Sequence, residues 1–133
     1  MSRPVVVHEA DLPLERWDDG RAPHLTWRTL ISGDRTATDT LTAGVAVLAP
    51  GTAHEPGTHR HQPAEIYHFL AGQGVVTIDD VDHPVTAGST VFVPGGAWHD
   101  VHNTGDSELR LFYVFAVDSF AGVTYEFRDS PAE

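Results

Sequence analysis

Residues 57–103 read GTHRHQPAEIYHFLAGQGVVTIDDVDHPVTAGSTVFVPGGAWHDVHN, and the architecture follows from this stretch. It contains His59, His61, Glu65 and His99 at spacings typical of the ligand set of one divalent metal ion. Alternate residues of a β-strand point to the same side, so the pattern predicts that His59 and His61 project together, with Cα atoms roughly 7 Å apart. Because His99 follows more than thirty residues after Glu65, a closed barrel is needed to bring the four residues together.

A succession of short β-like segments covers most of the chain. Gly- and Pro-containing turns separate them, and almost no helix is expected. This pattern predicts an all-β fold, an antiparallel jelly-roll β-barrel in a single domain. The expected elements are a short β segment at 5–7, one helical turn at 11–17, and strands at 25–31, 40–49, 64–70, 75–78, 90–93, 98–103, 109–117 and 123–127. The expected division is N-terminal strands and turn 1–49, metal-binding core 57–103 and C-terminal strands 109–127.

The composition restricts the kinds of partner. The 133 residues suffice for one domain with a buried core. All eight cationic side chains are arginines, against nineteen acids, and the net charge of −11 argues against nucleic acid or an anionic membrane as partner. It favours a cationic or neutral ligand, or simply reflects solubility, and the expected partner is a small-molecule substrate. The chain has no cysteine and hence no disulfide. It shows no leader and no long apolar run, which predicts a soluble, cytoplasmic protein.

The donor set indicates a catalytic rather than a closed structural metal site. Three imidazole nitrogens and one carboxylate oxygen suit Fe(II), Mn(II), Ni(II) or Zn(II), and the sequence does not choose among these ions. Such a set leaves positions open in an octahedral shell, where a substrate or a water molecule could bind. His54 lies in the loop before the ligands, where it is a fifth ligand, a group at the mouth of the site, or a plain loop residue.

Alternation along the strands predicts which side chains share the cavity with the metal. If Glu65 points inward, so do Tyr67 and Phe69. Tyr125, in the last expected strand, could approach the metal from the other end. A nearby dication favours the phenolate, so Tyr67 or Tyr125 could act as a base near neutral pH. The alternative is that both are ordinary core aromatics.

The motifs of this stretch resemble those of the cupin family. The pattern H-x-H-x-x-x-E, then six residues and a glycine, spans residues 59–72 and looks like the first cupin motif. The pattern G-x-x-x-x-x-P-x-G-x-x-H-x-x-x-N at residues 88–103 matches the second motif. One departure is Ala53, which stands where a glycine usually precedes the first histidine. The resemblance implies a jelly-roll barrel, the four metal ligands named above and a homodimer.

A second resemblance is to the short single-domain cupin lyases of dimethylsulfoniopropionate, and it covers the chain from about residue 25 to residue 127. The similar segments are LTWRTLI at 25–31, PAEIY at 63–67, LFYVF at 111–115 and VTY at 123–125. This resemblance implies a β-elimination in which the substrate carboxylate binds the metal and a tyrosine matching Tyr67 or Tyr125 removes the α-proton. Dimethyl sulfide then leaves, and acrylate remains. The sulfonium cation would suit an acidic protein and aromatic walls such as Trp27, Phe69 or Trp98.

Two other functions remain open at this point. Small cupins of secondary metabolism share the ligand pattern, so the chain could be an Fe(II) dioxygenase or a polyketide cyclase that acts on an aromatic substrate. Apolar residues that could line such a site are Phe69, Phe92, Trp98, Phe112 and Phe115. The non-enzymatic alternative is a cupin that binds a small molecule without turnover. Oxygen uptake in the presence of Fe(II) would separate the oxygenase from an elimination.

Overall fold

Two antiparallel five-stranded sheets make up most of the computed structural model, which describes residues 2–18, 20–51 and 57–128. Within these ranges the strands are β1 (Leu25–Ile31), β2 (Thr42–Leu48), β3 (His59–Arg60), β4 (Glu65–Ala71), β5 (Gln73–Ile78), β6 (Val81–Thr86), β7 (Thr90–Val93), β8 (His99–Asn103), β9 (Leu109–Phe115) and β10 (Glu126–Phe127). Two 3₁₀ turns, Glu9–Asp11 and Phe120–Gly122, are the helical segments found there. None of the described helical residues forms a span with the length and apolar character needed to cross a membrane. The expected all-β jelly roll is confirmed.

The strand order distributes the predicted ligands over both sheets. One sheet has the order β1-β2-β9-β4-β7 and the other the order β10-β3-β8-β5-β6. Neighbours in each sheet run antiparallel, and β3 pairs with β8 although their first residues, His59 and His99, are forty positions apart in the chain. The motif residues therefore meet through non-local pairing.

The core lies between the sheets and draws residues from both. β9 alternates strictly, with Leu109, Leu111, Tyr113 and Phe115 buried and the residues between them partly exposed. The sequence of this segment is a long apolar run, yet its burial alternates, with one face inward and one face outward. β4 alternates in the same way, which confirms that Tyr67 and Phe69 point inward with Glu65. Phe69 has no exposed surface, and burying a side chain of this kind stabilises the fold by roughly 1.5–3 kcal/mol.

Two tight turns depend on residues with positive φ. Asp79 (φ 48°) and Asp80 (φ 68°) form the two-residue connection between β5 and β6, and such hairpins favour residues that tolerate this conformation. Gly72 (φ 88°) turns the chain from β4 to β5. A Cβ atom at this glycine would lie 2.5 Å from the backbone oxygen of Glu108, so no other residue fits without displacement of the backbone.

Asn103 ties the end of β8 to two backbone segments. Its Nδ2 donates to the carbonyl oxygens of Leu48 (3.0 Å) and Ser107 (2.9 Å), and its Oδ1 accepts from the backbone N–H of Gly105 (2.9 Å). Its side chain is buried. The amide thereby links the end of β8, the strand that begins with His99, to the end of β2 in the other sheet.

Three local predictions differ from the structure. The 3₁₀ turn ends at Asp11 rather than covering residues 11–17, because Glu15 pairs with Trp27 of β1 in an isolated β-bridge and draws this segment into extended conformation. Residues 5–7 form no strand. The last strand is restricted to residues 126–127, since only these pair with β3.

Candidate metal centre and cavity

The four predicted ligands converge on one buried point. The nitrogen ligand atoms of His59, His61 and His99 all lie within 4.8 Å of one another. His59 and His99 are directly paired across β3 and β8, and Glu65 reaches the same point from the first position of β4 in the other sheet. β3 ends at Arg60, so His61 lies just beyond the strand rather than on it. All four side chains are at most 5% exposed.

Hydrogen bonds to the backbone orient the three imidazole rings. Each Nδ1 lies close to a carbonyl oxygen, which can only accept, so each Nδ1 carries the proton and donates. The pairs are His59 Nδ1 with Gly57 O at 2.7 Å, His61 Nδ1 with Pro63 O at 2.9 Å, and His99 Nδ1 with Ala97 O at 2.9 Å. In the neutral rings each Nε2 therefore presents a lone pair, which is the form that binds a metal.

The contacts of the Glu65 carboxylate with two histidine rings require a positive charge between the carboxylate and the rings. Its Oε1 lies 3.2 Å from Nε2 of His61 and 3.5 Å from Nε2 of His99. Because a carboxylate oxygen and a neutral Nε2 both present lone pairs, the contact is favourable only with a proton or a cation between them. The Nε2 of His99 is moreover buried without a hydrogen-bond partner, and such orphaned groups are uncommon in folded proteins. The donor set thus fits one divalent metal ion.

Electrostatics keep the ligands in metal-binding form. Burial, and then the charge of the neighbouring His99, lower the pKa of His59 from 6.5 to about 4, so this ring is neutral at physiological pH. Burial raises the pKa of Glu65, but the close contacts with His61 and His99 outweigh burial and leave the pKa below its ordinary value. A neutral imidazole beside an ionised carboxylate is the state required for ligation.

A cavity with largely apolar walls opens beside the ligands. The described residues that line it include His59 and Glu65 from the ligand set and both predicted catalytic residues, Tyr67 and Tyr125. The ring centroid of Tyr125 lies 5.4 Å from those of both His59 and His61, whereas the ring centroid of Tyr67 lies 6.3 Å from that of His99. Both tyrosines are therefore next to the candidate metal centre, and they approach different histidine rings of it.

Neither tyrosine ionises readily without added positive charge. Burial, and then the negative charge of Glu65, raise the pKa of Tyr67 well above its ordinary value. The same two causes raise the pKa of Tyr125 well above its ordinary value. A divalent cation at the ligands would counteract the charge of Glu65 and favour the phenolate.

The three predicted substrate-binding residues lie in different environments. Trp27 lines the cavity. Phe69 is fully buried in the core and contacts Tyr67 at a centroid distance of 6.1 Å, but it is not among the cavity-lining residues. Trp98 lies away from the cavity, with the guanidinium of Arg60 4.3 Å from the centre of its ring. The structure therefore brings only Trp27 of this group to the site.

Sequence reasoning did not identify three aromatic residues of the cavity wall, Trp17, Tyr113 and Phe120. Trp17 and Phe120 lie outside the regular strands, where alternation gives no information. Tyr113 lies in β9, where the apolar run concealed the alternation. His54, a possible fifth ligand in the sequence, lies outside the described residues.

A two-sheet β-barrel with a buried three-histidine, one-carboxylate centre is the architecture of a metal-binding cupin. The cupin domain family matches residues 44–115. The chain belongs to the cupin family. It is similar to the dimethylsulfoniopropionate lyase DddW of Ruegeria pomeroyi, to which it is 38% identical over 127 residues, covering 96% of this chain and 82% of that relative.

Solved structures agree on the fold. The polyketide cyclase RemF of Streptomyces resistomycificus superposes with a TM-score of 0.77 at 20% identity, over 96% of this chain and 89% of RemF. The dimethylsulfoniopropionate lyase DddQ of Ruegeria pomeroyi superposes with a TM-score of 0.75 at 20% identity, over 93% of this chain and 64% of DddQ. At these identities the likeness concerns the fold alone, and the two neighbours have different activities.

Proposed function

We propose that this protein is a metal-dependent lyase that eliminates dimethyl sulfide from dimethylsulfoniopropionate. The observation that carries the proposal is the 38% identity to a lyase of this substrate over nearly the whole chain. The site supports it with a fitting metal-ligand set and with two tyrosines beside it.

The four ligands, His59, His61, Glu65 and His99, would hold one divalent ion, with Fe(II), Mn(II), Ni(II) and Zn(II) as the candidates. When bound, the ion supplies Lewis acidity that polarises a carboxylate and thereby acidifies the carbon-bound proton next to it. The backbone hydrogen bonds of the three imidazoles keep the Nε2 atoms directed at this position.

The elimination needs a base, a leaving group and exclusion of water. The phenolic oxygen of Tyr67 or of Tyr125 takes the α-proton, the electron pair of that C–H bond forms the Cα=Cβ double bond, and the Cβ–S bond breaks. Dimethyl sulfide leaves with the electrons of the C–S bond, and acrylate and a proton remain. The apolar cavity walls limit the access of water, which keeps a phenolate desolvated and basic.

The test is proton NMR of dimethylsulfoniopropionate mixed anaerobically with protein reconstituted separately with each of the four ions. Growth of acrylate signals is expected with at least one ion. Loss of these signals in only one of the variants Tyr67→Phe and Tyr125→Phe would identify the base. Absence of acrylate with every bound ion would refute the lyase.

The aromatic cavity wall favours a second candidate, an oxygenase or cyclase acting on an aromatic compound. Oxygen consumption by the Fe(II) form with phenolic substrates, together with absence of acrylate, would support it. A non-catalytic binding protein would bind a carboxylate ligand and show neither reaction. The homodimer and the cytoplasmic location stay predictions.

A further inference from the structure

The cavity has an aromatic end that the strand pattern did not predict. The ring centroids of Trp17 and Trp27 lie 6.1 Å apart with an interplanar angle of 65°, and Trp27 stacks on Phe120 at 6.0 Å. All three rings line the cavity and are partly buried. Trp27 and Phe120 also pack against the hydrophobic core, and together with Trp17 they present aromatic surface to the cavity.

Tyr125 connects this aromatic end with the metal ligands. Its ring is perpendicular to that of Trp17 at a centroid distance of 5.3 Å, and it lies 5.4 Å from the rings of His59 and His61. The aromatic end and the ligand set are therefore two ends of one site. A substrate with a carboxylate at one end would present its other end to Trp17 and Trp27.

The chemistry of this end suits a cation without hydrogen-bond donors. None of the described cavity-lining residues is an arginine, and the chain has no lysine, so nothing in this wall competes with a positive ligand group. The protein already places cations on aromatic faces elsewhere: Arg21 lies 3.9 Å from the ring centre of Phe127, and Arg60 lies 4.3 Å from that of Trp98. An onium group, which cannot donate a hydrogen bond, is bound by such π faces.

Glu15 holds Trp17 in position. Its backbone N–H donates to the carbonyl of Trp27 (2.7 Å), and its carbonyl accepts from the N–H of Trp27 (3.0 Å). Its carboxylate receives two hydrogen bonds from Arg35, at 2.9 and 3.0 Å, and one from the backbone N–H of Thr29 at 3.4 Å. In an extended segment residues two apart point to the same side, so fixing Glu15 also fixes the direction of Trp17.

We propose that Trp17 and Trp27 form a subsite for the onium end of the substrate, in which Trp17 determines specificity and Glu15 is a positioning residue. The orientation of the substrate, with its carboxylate at the metal, rests on the proposed function. The preference for a cation over a neutral group of equal shape rests on the aromatic wall itself.

The experiment compares two ligands of the same shape that differ in charge. Isothermal titration calorimetry on the Zn(II)-loaded protein measures the affinity for 3-(trimethylammonio)propanoate and for its neutral isostere 4,4-dimethylpentanoate. We expect the cationic ligand to bind about tenfold more tightly, the effect of a partly desolvated cation–π contact. In Trp17→Leu this preference should fall to within about twofold, while Trp17→Phe, which keeps a π face, should retain most of it.

Two further variants separate the subsite from general effects on folding. Trp98→Leu removes an equal ring outside the cavity and should keep the preference of the wild type. Glu15→Gln should lower the preference while the affinity for the neutral ligand changes by less than about twofold, since a merely destabilised protein would lose both ligands alike. Equal affinity of the wild type for the two ligands, no measurable binding of the cationic ligand, or an undiminished preference in Trp17→Leu would overturn the proposal.

The outcome is independent of the proposed reaction. A protein that shows the charge preference through Trp17 but forms no acrylate refutes the lyase and leaves the subsite standing. Acrylate formation without a charge preference refutes the subsite and leaves the lyase standing.

Discussion

Replacement of His99 by alanine tests the metal centre directly. The ring makes one hydrogen bond within the protein, from Nδ1 to the carbonyl of Ala97, and its buried Nε2 has no partner. Nε2 lies 3.5 Å from Oε1 of Glu65, so it adds to stability when positive charge occupies the centre. We expect His99→Ala to remove most of the stabilisation that a divalent ion confers on the folded protein.

The size of the effect follows from binding linkage and chain length. An ion at one hundred times its Kd stabilises the folded state by about 2.7 kcal/mol. For 133 residues the entropy of unfolding is about 0.28 kcal/mol/K, so the Tm should rise by about 10 °C. If loss of one ligand weakens binding about 100-fold, the same ion concentration stabilises by only about 0.4 kcal/mol, and the Tm rises by about 1–2 °C.

The assay is thermal unfolding of chelator-treated protein with and without Zn(II), recorded for the wild type and for each variant. Because the rise is measured within each variant, the stability lost by removing the imidazole ring cancels. The matched control is His68→Ala, since His68 points to the outer face of β4 and its Nδ1 lies 2.7 Å from Oγ1 of Thr90. This control should keep the full rise.

An equal rise in Tm for the wild type and His99→Ala would refute the assignment of His99 as a ligand. Loss of the rise in Tm in His68→Ala, with the rise kept in His99→Ala, would place the ion on the outer face of β4. If none of Fe(II), Mn(II), Ni(II) and Zn(II) raises the Tm of the wild type, the centre does not bind a divalent ion in the folded state.

Three further predictions concern the free energy of unfolding of the metal-free protein, measured with urea. Burial, and then the charge of His99, lower the pKa of His59 from 6.5 to about 4, so the unfolded chain binds more protons than the folded protein between these pH values. The free energy of unfolding should therefore fall by up to about 3 kcal/mol as the pH falls through this window. An equal loss in His59→Gln would contradict this cause. In Gly44→Ala the new Cβ would lie 2.3 Å from the hydroxyl oxygen of Tyr113 and 2.6 Å from the backbone oxygen of Arg28, which should cost about 1–3 kcal/mol by overpacking, and an unchanged urea midpoint would contradict this close packing. Asn103→Ala should cost about 1–3 kcal/mol because the buried carbonyl of Leu48 loses its donor, whereas a loss below about 0.5 kcal/mol would show that water replaces the amide.

The folded site combines pairing between distant strands with contacts from segments outside the sheets. β3 and β8 place His59 opposite His99, and β4 brings Glu65 from the other sheet. Tyr125 then joins this centre from a segment without regular structure. Three of the four candidate ligands therefore lie on strands, while His61 and part of the cavity wall lie outside them, and variation in such connecting segments can change the substrate of a barrel.

The amino-acid sequence by itself determined the fold class and the four residues of the candidate metal centre. The fold class depends on short-range regularities, namely the period of two along a strand and the glycine, proline and aspartate turns, and the candidate ligands depend on the motif spacing of His59, His61, Glu65 and His99. Alternation also placed Tyr67 on the inner face correctly. These features can be recognised without knowledge of strand partners because they are patterns of the sequence itself.

Only the tertiary structure decided which aromatic residues meet the metal centre. Alternation states which neighbours share a face of one strand, but it does not state whether another segment covers that face. Trp98 precedes His99 by one residue and lies outside under Arg60, while Trp17 reaches the cavity because Glu15 pairs with Trp27 across β1. These contacts depend on where distant segments pack in three dimensions, and no local pattern in the chain encodes that packing.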